Sequence, residues 1–140
     1  MSGSTVEQIK ASFGSSLGDL LENLSEQIDG LLAAQVCTSD GFEVVSVHRN
    51  EESHRRLAAM VSSLHALGSA MVEETDLGEY VNLMIEATAG KCLMMAIPDT
   101  GGQFLLAAIT KPTVLFGMFH NTCKRTAELM GEALEADSAA

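Results

Sequence analysis

SHRRLAAMVSSLHALGSAM, residues Ser53 to Met71, decides the fold, because at about 100° per residue it carries two stripes instead of one. Leu57, Met60, Val61, Leu64, Leu67, Gly68 and Met71 follow the i, i+3, i+4, i+7 spacing of a helix face that packs on a core. Ala59, Ser62, Ser63, Ala66, Ser69 and Ala70 fall on nearly the opposite side, and each is small. A solvated face would normally carry Lys, Glu, Arg or Gln, which favour helix and keep the surface wet. Backbones approach closely where side chains are short, so this stripe is expected to meet a second helix, most simply its own copy across a twofold axis. Ala is also the best helix former, so a plain Ala-rich surface helix is the competing explanation.

Outward from this helix the chain reads in both directions. Upstream, Leu17, Leu20, Leu21, Leu24 and Ile28 recur at helical spacing, predicting a helix from Leu17 to Gln27. The lead before it is looser, since Gly14 and Gly18 each cost about 1 kcal/mol relative to Ala. LLAAQVCT (Leu31 to Thr38) and FEVVSVH (Phe42 to His48) flank a turn containing Asp40-Gly41 and read as a hairpin. Asn50 before Glu51 and Glu52 suits the start of the central helix.

Downstream, EYVNLMIEAT (Glu79 to Thr88) alternates, with Tyr80, Asn82, Met84 and Glu86 on one face, as in a half-exposed edge strand. CLMMAI (Cys92 to Ile97) and FLLAAI (Phe104 to Ile109) are apolar on both faces, so both sides of their sheet must be covered. A last helix is expected from about Thr113 to Leu134, with Leu115, Phe119, Thr122, Thr126, Leu129, Met130 and Ala133 as its buried stripe. The order is α-β-β-α-β-β-β-α, an α+β fold. If the terminal helices share one face, the central helix stands alone on the other with its small stripe uncovered.

At 140 residues and 46% hydrophobic composition, this is one domain able to bury a core without staples. The expected division is an N-terminal extension over 1–16, the domain over 17–135 and a frayed tail over 136–140. A net charge of -11 argues against nucleic acid and against an anionic bilayer. Neither a membrane-length apolar run nor a signal-peptide pattern is present, so the expected location is the cytoplasm. Cys37, Cys92 and Cys123 sit in apolar contexts without a CxxC pair and read as reduced, buried thiols.

Catalytic signals are sparse, and no cofactor is implied. Gly101 and Gly102 belong to neither a GxxxxGK[ST] nor a GxGxxG pattern and read as turn glycines. His48, His54, His65 and His120 lack metal-ligand spacing and read as surface histidines. No Ser or Cys has a context that supplies a base and an oxyanion hole. Arg49, Arg55 and Arg56 form the one basic cluster, either a partner contact or simple i, i+4 pairing of Arg55 and Arg56 with Glu51 and Glu52.

This element order, the DGF-type hairpin from Asp40 to Phe42, the uncovered central helix and the acidic single domain together resemble the Roadblock family, related to dynein light chains. The resemblance spans roughly Leu17 to Leu134, and bacterial members of this length are the most similar in pattern. It implies a five-stranded antiparallel sheet with two helices on one face and one on the other. It also implies a homodimer through the central helix and third strand, matching Ala59, Ser62, Ser63, Ala66, Ser69 and Ala70 with Tyr80, Asn82, Met84 and Glu86. Family members regulate or scaffold small Ras-like GTPases as binding surfaces, not as catalysts, often as GTPase-activating partners. The alternative is a small-molecule sensor domain of PAS, GAF or profilin-like type, which needs an internal pocket with a few polar groups.

Overall fold

The computed structural model describes residues 3–139, and side-chain surroundings for residues 7–136. Residues 1 and 2 of the expected extension and Ala140 of the expected tail lie outside the described residues. The order is α1 (Gly3–Gln27), β1 (Leu31–Thr38), β2 (Glu43–Val47), α2 (Glu51–Glu74), β3 (Asn82–Ala87), β4 (Gly90–Ala96), β5 (Phe104–Thr110) and α3 (Phe116–Ala139). The strands form one antiparallel sheet in the order β2-β1-β5-β4-β3. The fold is α+β, as the sequence predicts.

Strand periodicity sorts the core into two layers. Ala34, Val36, Leu106, Ala108, Leu93 and Met95 point to one face, where Leu17, Leu21 and Leu24 of α1 meet Phe119, Cys123, Ala127 and Met130 of α3. Cys37, Leu105, Ala107 and Met94 point to the other, where α2 contributes Ala58 and Val61 to the apolar cluster and His54 as a third buried residue. Two helices therefore cover one face and α2 covers the other alone. Because β2 and β3 are opposite edges, α2 connects one margin of the sheet to the other; at about 36 Å it exceeds the roughly 19 Å that four strand spacings require.

The boundaries differ from expectation in instructive places. α1 is continuous from Gly3 through Gly14 and Gly18, because Ile9, Phe13 and Leu20 pack on the core and outweigh the glycine cost. β3 is shorter than expected, since Tyr80 turns onto α2 before the strand begins. α3 starts at Phe116, after turns at 112–114, and continues to Ala139, past Leu134. Its expected buried stripe holds at Phe119, Thr126 and Met130, but Leu115 is 75% exposed because it precedes the helix.

α2 begins as its sequence predicts. Asn50 is extended at φ -88° and ψ 163°, its Oδ1 accepts from Ser53 N at 2.8 Å, and Glu51 and Glu52 occupy the positive end of the helix dipole. Before it, His48 (φ 61°) and Arg49 (φ 55°) are consecutive non-glycine residues in the left-handed region. A hydrogen bond between Ser25 Oγ and His48 Nε2 at 2.7 Å ties this corner to α1.

Candidate interaction surface

The outer side of α2 is built from small residues, as its sequence implies. Ala59, Ser63, Ala66 and Ala70 are exposed, while Ser62 and Ser69 are half-buried. Part of the reason lies within the chain. Gly41, at φ +97° in the β1–β2 turn, lies so close that a Cβ there would be 3.2 Å from Ser62 Oγ and 3.6 Å from Ala59 Cα. Ser62 and Ser63 both donate their hydroxyls to Ala59 O, at 3.1 Å each. Ala66 and Ala70, further along the stripe, are exposed, so crowding within the chain does not account for their size.

The other stripe departs from expectation. Val61 is buried and Leu57, Leu64 and Gly68 are half-buried, but Met60, Leu67 and Met71 are 55%, 65% and 67% exposed. The stripe is wider than the sheet can cover, because among the described residues the apolar cluster beneath α2 holds just four fully buried strand residues, Cys37, Met94, Leu105 and Ala107. Three large apolar side chains therefore flank the small ones.

The exposed apolar surface continues into β3. Ile85 alternates with Met84 and so shares the α2 side with Leu83, and it is 42% exposed; Val81, just before the strand, is 70% exposed and lines a groove with Asn82 and His120. Among the described residues β3 pairs only with β4, which leaves its outer backbone groups open. An open strand edge beside an apolar helix flank is a ready template for another strand.

The four β3-side residues named from sequence are divided by the structure. Tyr80 lies against α2, its ring 4.8 Å from that of His65 in a T-shaped arrangement. Asn82 turns to α3, where its Nδ2 is 3.0 Å from His120 Nε2, and Met84 packs on the α1–α3 core. Glu86 is exposed. Burial lowers the pKa of His65 below its ordinary value and raises that of Tyr80. His65 Nδ1 and Tyr80 Oη find no hydrogen-bond partner among the described residues.

Sequence reasoning missed a polar cluster beneath the N-terminus of α2. His54 is buried, not a surface histidine as its spacing implied. Its Nε2 is 2.7 Å from His48 O, an acceptor only, so Nε2 carries the hydrogen and Nδ1 accepts from Gln35 Nε2 at 2.9 Å. Gln35 Nε2 also donates to His54 O at 3.0 Å. Gln35, in the middle of an apolar strand, was the available signal, since a buried amide demands a partner. Nearby, Arg56 pairs with Glu52 at 2.9 Å as its i, i+4 spacing predicts. Arg55 and Arg49 are exposed and form no ion pair among the described residues.

The thiols match the buried reading for two of three. Cys37 and Cys123 are buried, and desolvation pushes each up to about 12, with Glu43 adding to the effect at Cys37. Cys92 is half-buried and raised by burial as well. Among the described residues no group of His, Cys, Asp or Glu is arranged to hold a metal, and no helix is long and apolar enough to cross a membrane.

A family description, the Roadblock/LC7 domain, matches residues 17–110 of this chain. No curated protein matches its sequence. Among solved structures, a Roadblock/LC7 domain from Streptomyces avermitilis is 16% identical with a TM-score of 0.77, over 84% of this chain and 97% of that one. Myxococcus xanthus MglB is 13% identical with a TM-score of 0.79, over 88% and 90% of the two chains. A structure described as MglB with tetrameric arrangement is 16% identical with a TM-score of 0.77, over 88% and 90%. At these identities the likeness is one of fold.

Proposed function

Since the chain belongs to the Roadblock/LC7 domain family, we propose that it is a non-enzymatic regulator or scaffold of a small Ras-like GTPase, acting as a homodimer through α2 and β3. The observation that carries this reading is the continuity of the surface. Met60, Leu67 and Met71 on α2 and Ile85 on β3 are exposed apolar side chains beside a strand edge that is unpaired among the described residues. Ala59, Ser62, Ser63, Ala66, Ser69 and Ala70 allow the α2 helices of two copies to approach closely, and β3 pairs with its twin.

The paired helices then offer one composite surface to the GTPase. Holding the partner's switch loops in one arrangement shifts its nucleotide state, which requires differential binding and no catalytic group in this chain. Arg49, Arg55 and Arg56, at the N-terminal end of α2, supply positive charge for a contact near the nucleotide phosphates. The tetrameric arrangement described for one MglB structure supports pairing of copies here as well.

The test is sedimentation of wild type and Ala66→Arg, with GTP hydrolysis and nucleotide exchange measured for a Ras-like GTPase in the presence of each. Wild type should sediment as a dimer at micromolar concentration and change one of the two rates, and Ala66→Arg should lose both properties. A monomeric wild type, or GTPase rates untouched by a dimeric one, overturns the respective half of the proposal.

A further inference from the structure

On the sheet face opposite α2, the start of α3 is unusually apolar on its outside. Leu115, Phe116 and Met118 are 75%, 52% and 41% exposed, whereas Phe119 one residue on is fully buried. Phe116 is held in place, stacked on His120 with ring centroids 5.7 Å apart and planes 20° from parallel. His120 in turn is fixed by Asn82. Beside it runs a groove of about 170 Å³ between α3 and β3, lined among others by Met95, Ala96, His120, Lys124 and Glu128.

Cations are concentrated around this patch, with Glu128 in the same groove and Glu86 opposite Lys91 as its acidic neighbours. The chain has 8 Lys and Arg against 19 Asp and Glu, yet half of the cations, Lys91, Lys111, Lys124 and Arg125, belong to this end of the α3–β4 layer. Lys91 is occupied, its Nζ donating to Pro112 O at 2.7 Å and Val114 O at 2.8 Å. Lys111, Lys124 and Arg125 form no ion pair among the described residues, where the pairs are Lys10–Glu43 and Arg56–Glu52. Arg125 lies two turns beyond Met118 on the same helix side, and Lys124 lies one turn beyond His120.

We infer that the start of α3 and the groove beside it form a docking surface for an acidic segment of a different protein, anchored by one bulky apolar side chain. Aromatic and Met side chains beside unpaired cations are the composition of an interface core and its rim. On so acidic a molecule, an acidic partner is repelled except where cations cluster, and of the two such places, here and at Arg49, Arg55 and Arg56, this one also carries the exposed Leu115, Phe116 and Met118. A flat anionic bilayer would meet the acidic remainder of the surface as well, whereas a narrow segment would not. A second copy is assigned to the other face. Ile9 and Phe13 of α1 lie elsewhere, with Leu134 and Glu135 toward the far end of α3.

The experiment uses two short fluorescein-labelled helical peptides with identical Leu and Phe positions, one bearing Glu and the other Gln on the remaining face. Each is titrated with the full chain at low and high salt and followed by anisotropy. The Glu peptide should bind and weaken as salt rises, and the Gln peptide should bind at least about tenfold more weakly. Phe116→Ser, and separately Lys124→Glu with Arg125→Glu, should each lower affinity about tenfold with an unchanged sedimentation coefficient. The paired charge variant changes only exposed side chains, so it tests the idea even if Phe116→Ser fails to fold. Absent or charge-independent peptide binding, or binding indifferent to these variants, overturns the inference. So does loss of self-association in the variants, which assigns the surface to a second copy, or variant-sensitive binding to phosphatidylserine vesicles, which assigns it to a bilayer.

Discussion

The ring of Tyr80 lies against the backbone of Gly68, so closely that a Cβ on residue 68 would be 2.6 Å from Tyr80 Cε2 and 3.1 Å from Cδ2. Gly68 interrupts the side chains of α2 so that the chain returning from its far end can lie across it. Gly68→Ala in a free helix would stabilise by up to about 1 kcal/mol. Here the aromatic ring must move, and a net loss of about 1–2 kcal/mol is expected in urea unfolding, with Tyr80→Ala restoring tolerance to Ala at 68.

The buried pair Gln35 and His54 predicts an asymmetry between single and double substitutions. His54→Ala removes packing, takes away one of the two acceptors of Gln35 Nε2 and leaves His48 O without its donor, so a loss of about 2–4 kcal/mol is expected. Replacing both residues together, as Gln35→Met with His54→Leu, restores packing and removes the buried amide, whose Oε1 finds no partner among the described residues, and should recover part of that loss in thermal or chemical denaturation.

Apolar tracts left bare by the monomer should matter to association more than to folding. Met60, Leu67 and Met71 are each more than half exposed. Changing all three to Gln is expected to alter monomer stability by less than about 1 kcal/mol. The same change should lower dimer affinity by at least about a hundredfold in sedimentation equilibrium.

Acid sensitivity follows from His65. Its pKa in the folded chain is depressed from 6.5 by burial, so the unfolded chain takes up this proton first. As pH falls through 6.5, the unfolded state gains a proton that the folded state resists, and stability declines until the lower folded pKa is passed. His65→Gln should therefore show a flatter dependence of the urea midpoint between neutral and mildly acidic pH, and a wild-type-like slope in that variant would assign the effect elsewhere.

Thiol chemistry gives a readout of core opening. With Cys37 and Cys123 pushed up to about 12, neither is a thiolate at about pH 8. Iodoacetamide is expected to modify the half-buried Cys92 first and the other two only at the rate of global unfolding, which mass spectrometry resolves site by site.

Several elements could be written down from residues alone because their determinants are local. LLAAQVCT forms β1 over the span expected, Asp40-Gly41 turns the hairpin, and Asn50 caps α2. Strand period and helix period likewise separate α from β, and two doubly apolar strands require helices on both faces. The resemblance to the Roadblock family rests on that same order of elements.

What the linear pattern did not reveal is how much each surface is covered. Met60, Leu67 and Met71 follow a core period, yet the narrow supply of inward residues on one sheet face leaves them outside. Tyr80 and Asn82 share a parity, but one precedes the strand and turns to α2 while the other belongs to it and faces α3. His54 is polar and sits among charges in the sequence, and only the approach of Gln35 from β1 makes it an interior residue. Hydrophobic periodicity is a property of a segment and survives in any fold that contains it; burial and partnership depend on which segments the sheet order brings together, and that order is set by contacts distant in the chain.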